Sequence, residues 1–316
     1  MIRTSHYLFA ALCLGSLFAC SRQFTDSYIV PKWCFAVFML FIVLAYEAVN
    51  ILFYRQNEQK DTRISVYGFI IVISCFLQAM FGVVQFFGFF QISTTLWVTG
   101  SFDNPAGFAA CLCAGFPFVG FLLSDSNKYI RYVGGLIGFV IVIAVILSQS
   151  RAGIMSIAFI CFILLNMKFF HKRWVKYLSL LCFALLLSGC YWMKKDSADG
   201  RLLIWRCSVS MVKDAPWLGH GIGSFEARYM DYQADYFRQY GLNRYSMLAD
   251  NVKHPFNEYL GVLLNFGFVG LLMILALITL LIYCYKKHPC AEKRIAFYSL
   301  ISIGVFSFFS YTFTYQ

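Results

Sequence analysis

The sequence predicts an all-α polytopic integral membrane protein, and three observations predict it. The 316 residues are 60% hydrophobic and only 13% charged, with a mean hydropathy of +0.68; a soluble domain carries about a quarter charged residues. Apolar runs recur along the chain, most of about 18 or more residues, long enough to cross a hydrocarbon core of roughly 30 Å as a helix. Backbone polar groups must find partners inside lipid, so runs of this kind are helices. The net charge of +11 does not point to nucleic acid, because the basic residues gather in short segments beside apolar runs, where they fix topology. Most of the twelve cysteines fall within those runs and read as small buried hydrophobes. Cys111 and Cys113 point to different helix faces. No Cys, His or carboxylate cluster has metal-ligand spacing, so neither a metal nor any cofactor is expected.

In chain order, nine spans are expected. The start, MIRTSHYLFAALCLGSLFACSR, resembles a lipoprotein signal peptide through LFAC at Leu17–Cys20. Bulky Phe18 and the many later spans favour a short first transmembrane helix. Residues 33–53 form the second run and contain Glu47, a carboxylate that is either functional or simply near the interface and hydrogen-bonded. The third run covers 64–90. Asn104-Pro105 then signals a turn, in a stretch without Lys or Arg between Ile92 and Gly107. Runs four to seven cover 107–123, 132–149, 154–167 and 177–193. The eighth and ninth cover 258–285 and 295–313. The chain thus divides into helices one to seven (1–193), a long polar loop (194–257) and helices eight and nine (258–316). The ninth run leaves no partner for the last span, so a fragment, or a short member of a longer type, is expected.

Charge supports the alternation. With a cytoplasmic N-terminus, 14 basic residues fall in cytoplasmic segments, and only Arg22, Lys32 and Arg151 in short external ones. The remaining nine lie between Lys194 and Asn257, a loop long enough to escape the positive-inside rule. The long loop, SFDNPAG and SRAG then share one face, the periplasmic face of an inner membrane.

That face holds the residues that can carry chemistry. Arg151 and Arg131 bracket a crossing of about 28 Å. Arg151 keeps its charge in any environment and has no Asp or Glu nearby in sequence, so it faces lipid headgroups, a distant carboxylate or an anionic substrate. Arg201 and Arg206 flank Trp205, and arginine suits bidentate phosphate recognition. Gly219–Gly223 is a flexible turn, too short to claim as a phosphate loop. Phe225, Tyr229, Tyr232, Tyr236 and Tyr240 form one helical stripe, which either packs on membrane or core or stacks against sugar rings. His254 precedes Pro255 at the mouth of the eighth helix, where a neutral imidazole can accept a hydroxyl proton. Gly267 and Gly270 allow close helix packing.

FDNPAGFAA, SRAG, GRLLIW, DAPWLGHGIGSF and HPFNEYLGVLLNFGFVGLL together resemble the motif series of the O-antigen ligase/polymerase superfamily, over about residues 102–272. The resemblance implies a metal-independent, GT-C-like membrane glycosyltransferase. Its donor is a glycan on undecaprenyl diphosphate. Its acceptor is lipid A–core sugar, a growing glycan or a protein hydroxyl, and membrane lipids surround it. The family's essential basic residues correspond to Arg151 and Arg201, which would hold the diphosphate, with Arg206, Trp205, Asn257 and His220 as further substrate contacts. The family His corresponds approximately to His254 as base. In much of the family that His directly precedes the Asn heading the eighth helix; here Phe256 stands before Asn257. His254 lies two residues earlier, and His220 is the substitute base. Repeat polymerases and protein O-oligosaccharyltransferases share these motifs. A secondary anion transporter that binds its substrate through Arg151 is the reading from another class, although the sequence shows no internal repeat and no matched pair of interrupted spans. A non-catalytic assembly partner is the third.

Overall fold

The computed structural model describes residues 4–21, 23, 29–53, 61–89, 98–168, 172–193, 195–287 and 289–310, without the side chains of 29, 50–53, 61–65, 168 and 193. Among these residues every regular element is helical. The chain forms two compact units, with the division falling inside two of its helices.

The first unit contains α1 (Thr4–Phe18), α2 (Ile29–Phe53), α3 (Asp61–Phe86), α4 (Pro105–Gly115), α5 (Val119–Leu123), α6 (Lys128–Leu147), the start of α7 (Arg151–Lys168) and part of the last helix. α1 packs on α2 and α3, and α3 packs on α4 and α6. Pro117 turns the fourth apolar run through a 3-10 segment, Phe116–Phe118, between α4 and α5. The Asn104-Pro105 turn is a helix start: Asn104 Oδ1 accepts the Gly107 N–H at 2.8 Å, and Pro105 occupies the first turn, where a missing N–H costs nothing. Glu47 accepts a hydrogen bond from Tyr67 at 3.2 Å, the plainer of its two readings. All twelve cysteines are free thiols.

The second unit contains the rest of α7, α8 (Arg173–Met193), α9 (Lys195–Asp214), α10 (Ser224–Tyr240), α11 (Glu258–Lys287) and the end of α12 (Ala291–Phe309). The interval expected as a long loop is thus a folded helical module. Leu203, Ile204, Cys207 and Met211 of α9 pack with Phe225 and Tyr229 of α10, Tyr245, and Leu264 of α11. Burial pushes the Cys207 thiol up to about 11, which keeps it an inert hydrophobe. The aromatic stripe of α10 is therefore mainly core: Tyr229 is 1% exposed, while Tyr240 at its end is 61% exposed.

Among the described residues, six helical segments are long and apolar enough to cross a membrane: Val30–Val49, Val66–Phe86, Pro105–Leu123, Lys128–Leu147, Arg173–Trp192 and Glu258–Lys287. α1 and α7 are apolar but shorter, and α12 opens on Ala291-Glu292-Lys293-Arg294. The protein is an all-α, multi-pass membrane protein.

The eighth expected span is interrupted. Gly267 leaves helical geometry at φ 62, ψ −158, and the segment between α9 and α10 fills the break. The Phe268 and Val269 N–H groups donate to the Pro216 and Trp217 carbonyls at 2.8 and 3.2 Å. The His220 and Gly221 N–H groups donate to the Leu264 and Asn265 carbonyls at 2.7 and 3.1 Å. Both broken helix ends thereby recover partners for their backbone groups. The contact needs two glycines. A Cβ at Gly267 would lie 2.3 Å from the Trp217 carbonyl oxygen, and one at Gly219 (φ 70) would lie 2.6 Å from the Leu264 carbonyl oxygen. Gly267→Ala should therefore destabilise the protein by at least the ~1–3 kcal/mol of a strained backbone. Gly221→Ala, at φ 90 with open space around it, should cost less. Thermal unfolding of the detergent-solubilised variants checks the ranking.

Candidate active site

α9 begins as an amphipathic helix that turns two polar side chains toward the same partner. Arg201 and Trp205 are one helical turn apart and share a face. The Trp205 indole N–H donates to the Pro255 carbonyl at 2.9 Å, and its ring meets Phe308 edge-on, with centroids 5.8 Å apart. The Arg201 guanidinium lies 5.0 Å from the Phe256 ring centroid, a cation–π arrangement. It also donates to the carbonyl of Phe309, the last residue of α12, where a helix end favours positive charge.

These contacts hold the sharp bend His254-Pro255-Phe256. Phe256 adopts φ 52, a left-handed conformation uncommon for a bulky residue and one that persists only when neighbours enforce it. Asn257 closes the bend as the cap of α11: its Oδ1 accepts the Leu260 N–H at 3.1 Å, and its carbonyl accepts the Gly261 N–H at 3.0 Å. Asn257 is buried, with its Oδ1 committed to the backbone.

His254 is half-buried at the start of the bend. Burial is the main cause holding its imidazole below the ordinary value of 6.5; Lys253 adds to the effect and Glu226 opposes it. Glu226 also forms a 3.8 Å ion pair with Lys253. The ring is neutral near pH 7 and able to take a proton.

His220 is placed differently. Its Nε2 lies 2.8 Å from the Met211 carbonyl, and its Nδ1 lies 3.0 Å from an Arg228 nitrogen. That network assigns the Nε2–H tautomer and occupies both ring nitrogens, making His220 a pin between α9 and α10. The Gly219, His220 and Gly221 amides all donate to carbonyls, so they are not turned to an anion. Arg206 leaves the Arg201 face. It donates to the Tyr236 hydroxyl at 3.3 Å and lies 5.2 Å from the Tyr245 ring centroid. Tyr232 donates to Asp214 at 2.6 Å, and that bond pushes the phenol up to about 12.

In the first unit, Arg151 opens α7 directly after Ser150, whose Oγ accepts the Gly153 N–H at 3.3 Å. The same unit holds a polar cluster at Thr99–Phe102. Gln85 accepts the Thr99 and Gly100 N–H groups at 3.1 and 2.7 Å, and Gln78 donates to Ser101 Oγ at 3.0 Å. Lys32 of α2 reaches the Ser101 carbonyl, and its ammonium lies 4.4 Å from the Phe102 ring centroid. Sequence reasoning missed this lysine: it counted Lys32 only as a topology charge and SFDNPAG as a segment without a cation. Its position at the head of a span was the available signal. Arg201 and Trp205 meet the bend that runs from His254 to Asn257 in the second unit, while Arg151 and Lys32 belong to the first. Among the described residues no three His, Cys, Asp or Glu side chains form a group able to hold a metal ion.

No curated protein and no solved structure matches this chain. Residues 136–275, somewhat under half of the chain and including Arg151, Arg201, Trp205, His220, His254 and Asn257, match the family model Wzy_C, described as O-antigen ligase.

Proposed function

We propose that the protein is a membrane glycosyltransferase that moves a glycan from undecaprenyl diphosphate to an acceptor hydroxyl at the periplasmic face of an inner membrane. The observation that carries the reading is the bend at His254-Pro255-Phe256. It sets a neutral imidazole four residues before α11, two residues from Phe256, the ring on which the Arg201 guanidinium stacks. The O-antigen ligase match over 136–275 supplies the reaction class.

In the reaction, the acceptor oxygen attacks the anomeric carbon of the donor sugar. His254 takes the hydroxyl proton. The bond from that carbon to the phosphate oxygen breaks, and undecaprenyl diphosphate leaves with the electron pair. Inversion at the anomeric carbon follows from a single displacement. Arg201 and Arg151 hold the diphosphate and compensate the charge that grows as it leaves. Arg201 stays charged throughout, and the half-buried His254 works as a base without first losing a proton. His220, with both nitrogens engaged, and Arg206, stacked on Tyr245, act as supports.

The acceptor is read by deleting the gene in its host and resolving surface glycans beside glycoproteins on gels. Lipid A–core without long chains marks a ligase, and core bearing one repeat a polymerase. Intact lipopolysaccharide with unglycosylated proteins marks a protein transferase. Unchanged glycans in a host with no second copy would overturn the proposal.

A further inference from the structure

The segment that fills the break in α11 carries a second feature, which depends on the membrane span and not on glycosyl transfer. Trp217, Leu218 and Ile222 are 69%, 75% and 84% exposed, far outside the usual place of large apolar side chains in a packed module. The backbone fixes where they lie. The Pro216 and Trp217 carbonyls accept from Phe268 and Val269, and the Trp217 ring meets the Phe268 ring edge-on, with centroids 6.1 Å apart.

The second half of α11 then serves as a ruler. From Phe268 to Tyr285 it contains no charged residue, and Lys286 and Lys287 follow. These 18 residues rise about 27 Å, close to the roughly 30 Å of a hydrocarbon core. With the two lysines at one interface, Phe268 lies at the boundary of the other leaflet, and so does the chain bonded to it. At that depth backbone donors need partners, and the Gly219, His220 and Gly221 N–H groups all have them. An exposed Trp is the residue expected at such a boundary.

We infer that Pro216–Ile222 is an interfacial anchor, with Trp217, Leu218 and Ile222 inserted into the headgroup–acyl boundary of the bilayer leaflet on the side of the α9–α10 module. The occupant of this apolar surface is bilayer lipid. The loop that completes α11 thus also fixes the depth of the module, and with it the height of the His254 bend above the membrane.

The test uses the full chain in nanodiscs of phosphatidylethanolamine and phosphatidylglycerol. The fluorescence lost in Trp217→Phe isolates the Trp217 emission. Nitroxide on the upper acyl carbons should quench that component strongly, and aqueous iodide several-fold less than it quenches free indole. Quenching by iodide as for free indole, with none from the lipid nitroxide, would overturn the inference. A benzophenone side chain at Ile222 gives a reading that leaves Trp217 in place. Photo-adducts with phospholipid support insertion; adducts only with a second copy of the chain, or none with lipid, contradict it.

Discussion

Arg201→Ala should cost about 10²–10³-fold in transfer rate, the scale of losing one group that stabilises developing negative charge, while the protein stays in the membrane. The guanidinium is anchored at one side by the Phe309 carbonyl and the Phe256 ring, so its charge is pre-positioned and not drawn from solvent. Arg201→Lys keeps the charge but loses the planar fork that grips two phosphate oxygens, and should recover only part of the rate. Because Arg201 also braces the bend, each variant is compared by its thermal midpoint as well as its rate. Arg151→Ala should fall similarly. Wild-type rates in both alanine variants would remove the diphosphate role from these residues.

The second large effect is expected at His254. His254→Ala should lose roughly 10²–10⁴-fold, the usual contribution of a positioned general base, and should change the pH profile as well as the rate. Only the neutral imidazole accepts a proton. The wild-type rate is therefore expected to be full at neutral pH and to fall as pH drops through the His254 pKa. Burial holds that pKa below 6.5, so the fall comes at lower pH than for an exposed histidine. The alanine variant should lose this limb. A limb that survives in His254→Ala and disappears in His220→Ala would move the base to His220.

The membrane class and most helices were legible because an apolar run of sufficient length has one outcome in lipid. Pattern alone did not show what filled the polar interval. α9 and α10 each bury one face and expose the other, and the tyrosine spacing fitted a membrane face or a core, with a sugar platform as the functional alternative. The break at Gly267 was hidden for a different reason. A glycine in an apolar run reads as close packing, and only the facing Gly219, nearly fifty residues away, shows that two backbones meet there. Motif order singled out Arg201 and His254, but the contact that ties α9 to the bend after His254, Trp205 bonded to the Pro255 carbonyl, is a tertiary one. Lys32 was hidden by its separation from Ser101, 69 residues along the chain.

The most direct measurement is single-turnover transfer by the purified full-length protein in liposomes, with a glycan on undecaprenyl diphosphate as donor and lipid A–core as acceptor. Parallel reactions replace that acceptor with a second donor molecule or a protein substrate. Undecaprenyl diphosphate should appear in step with glycosylated acceptor in one of these reactions, with chelator present, and both should vanish in Arg201→Ala and His254→Ala. Wild-type protein that forms neither product with any acceptor, yet carries a labelled anion across the liposome membrane through Arg151, would contradict the glycosyltransferase assignment.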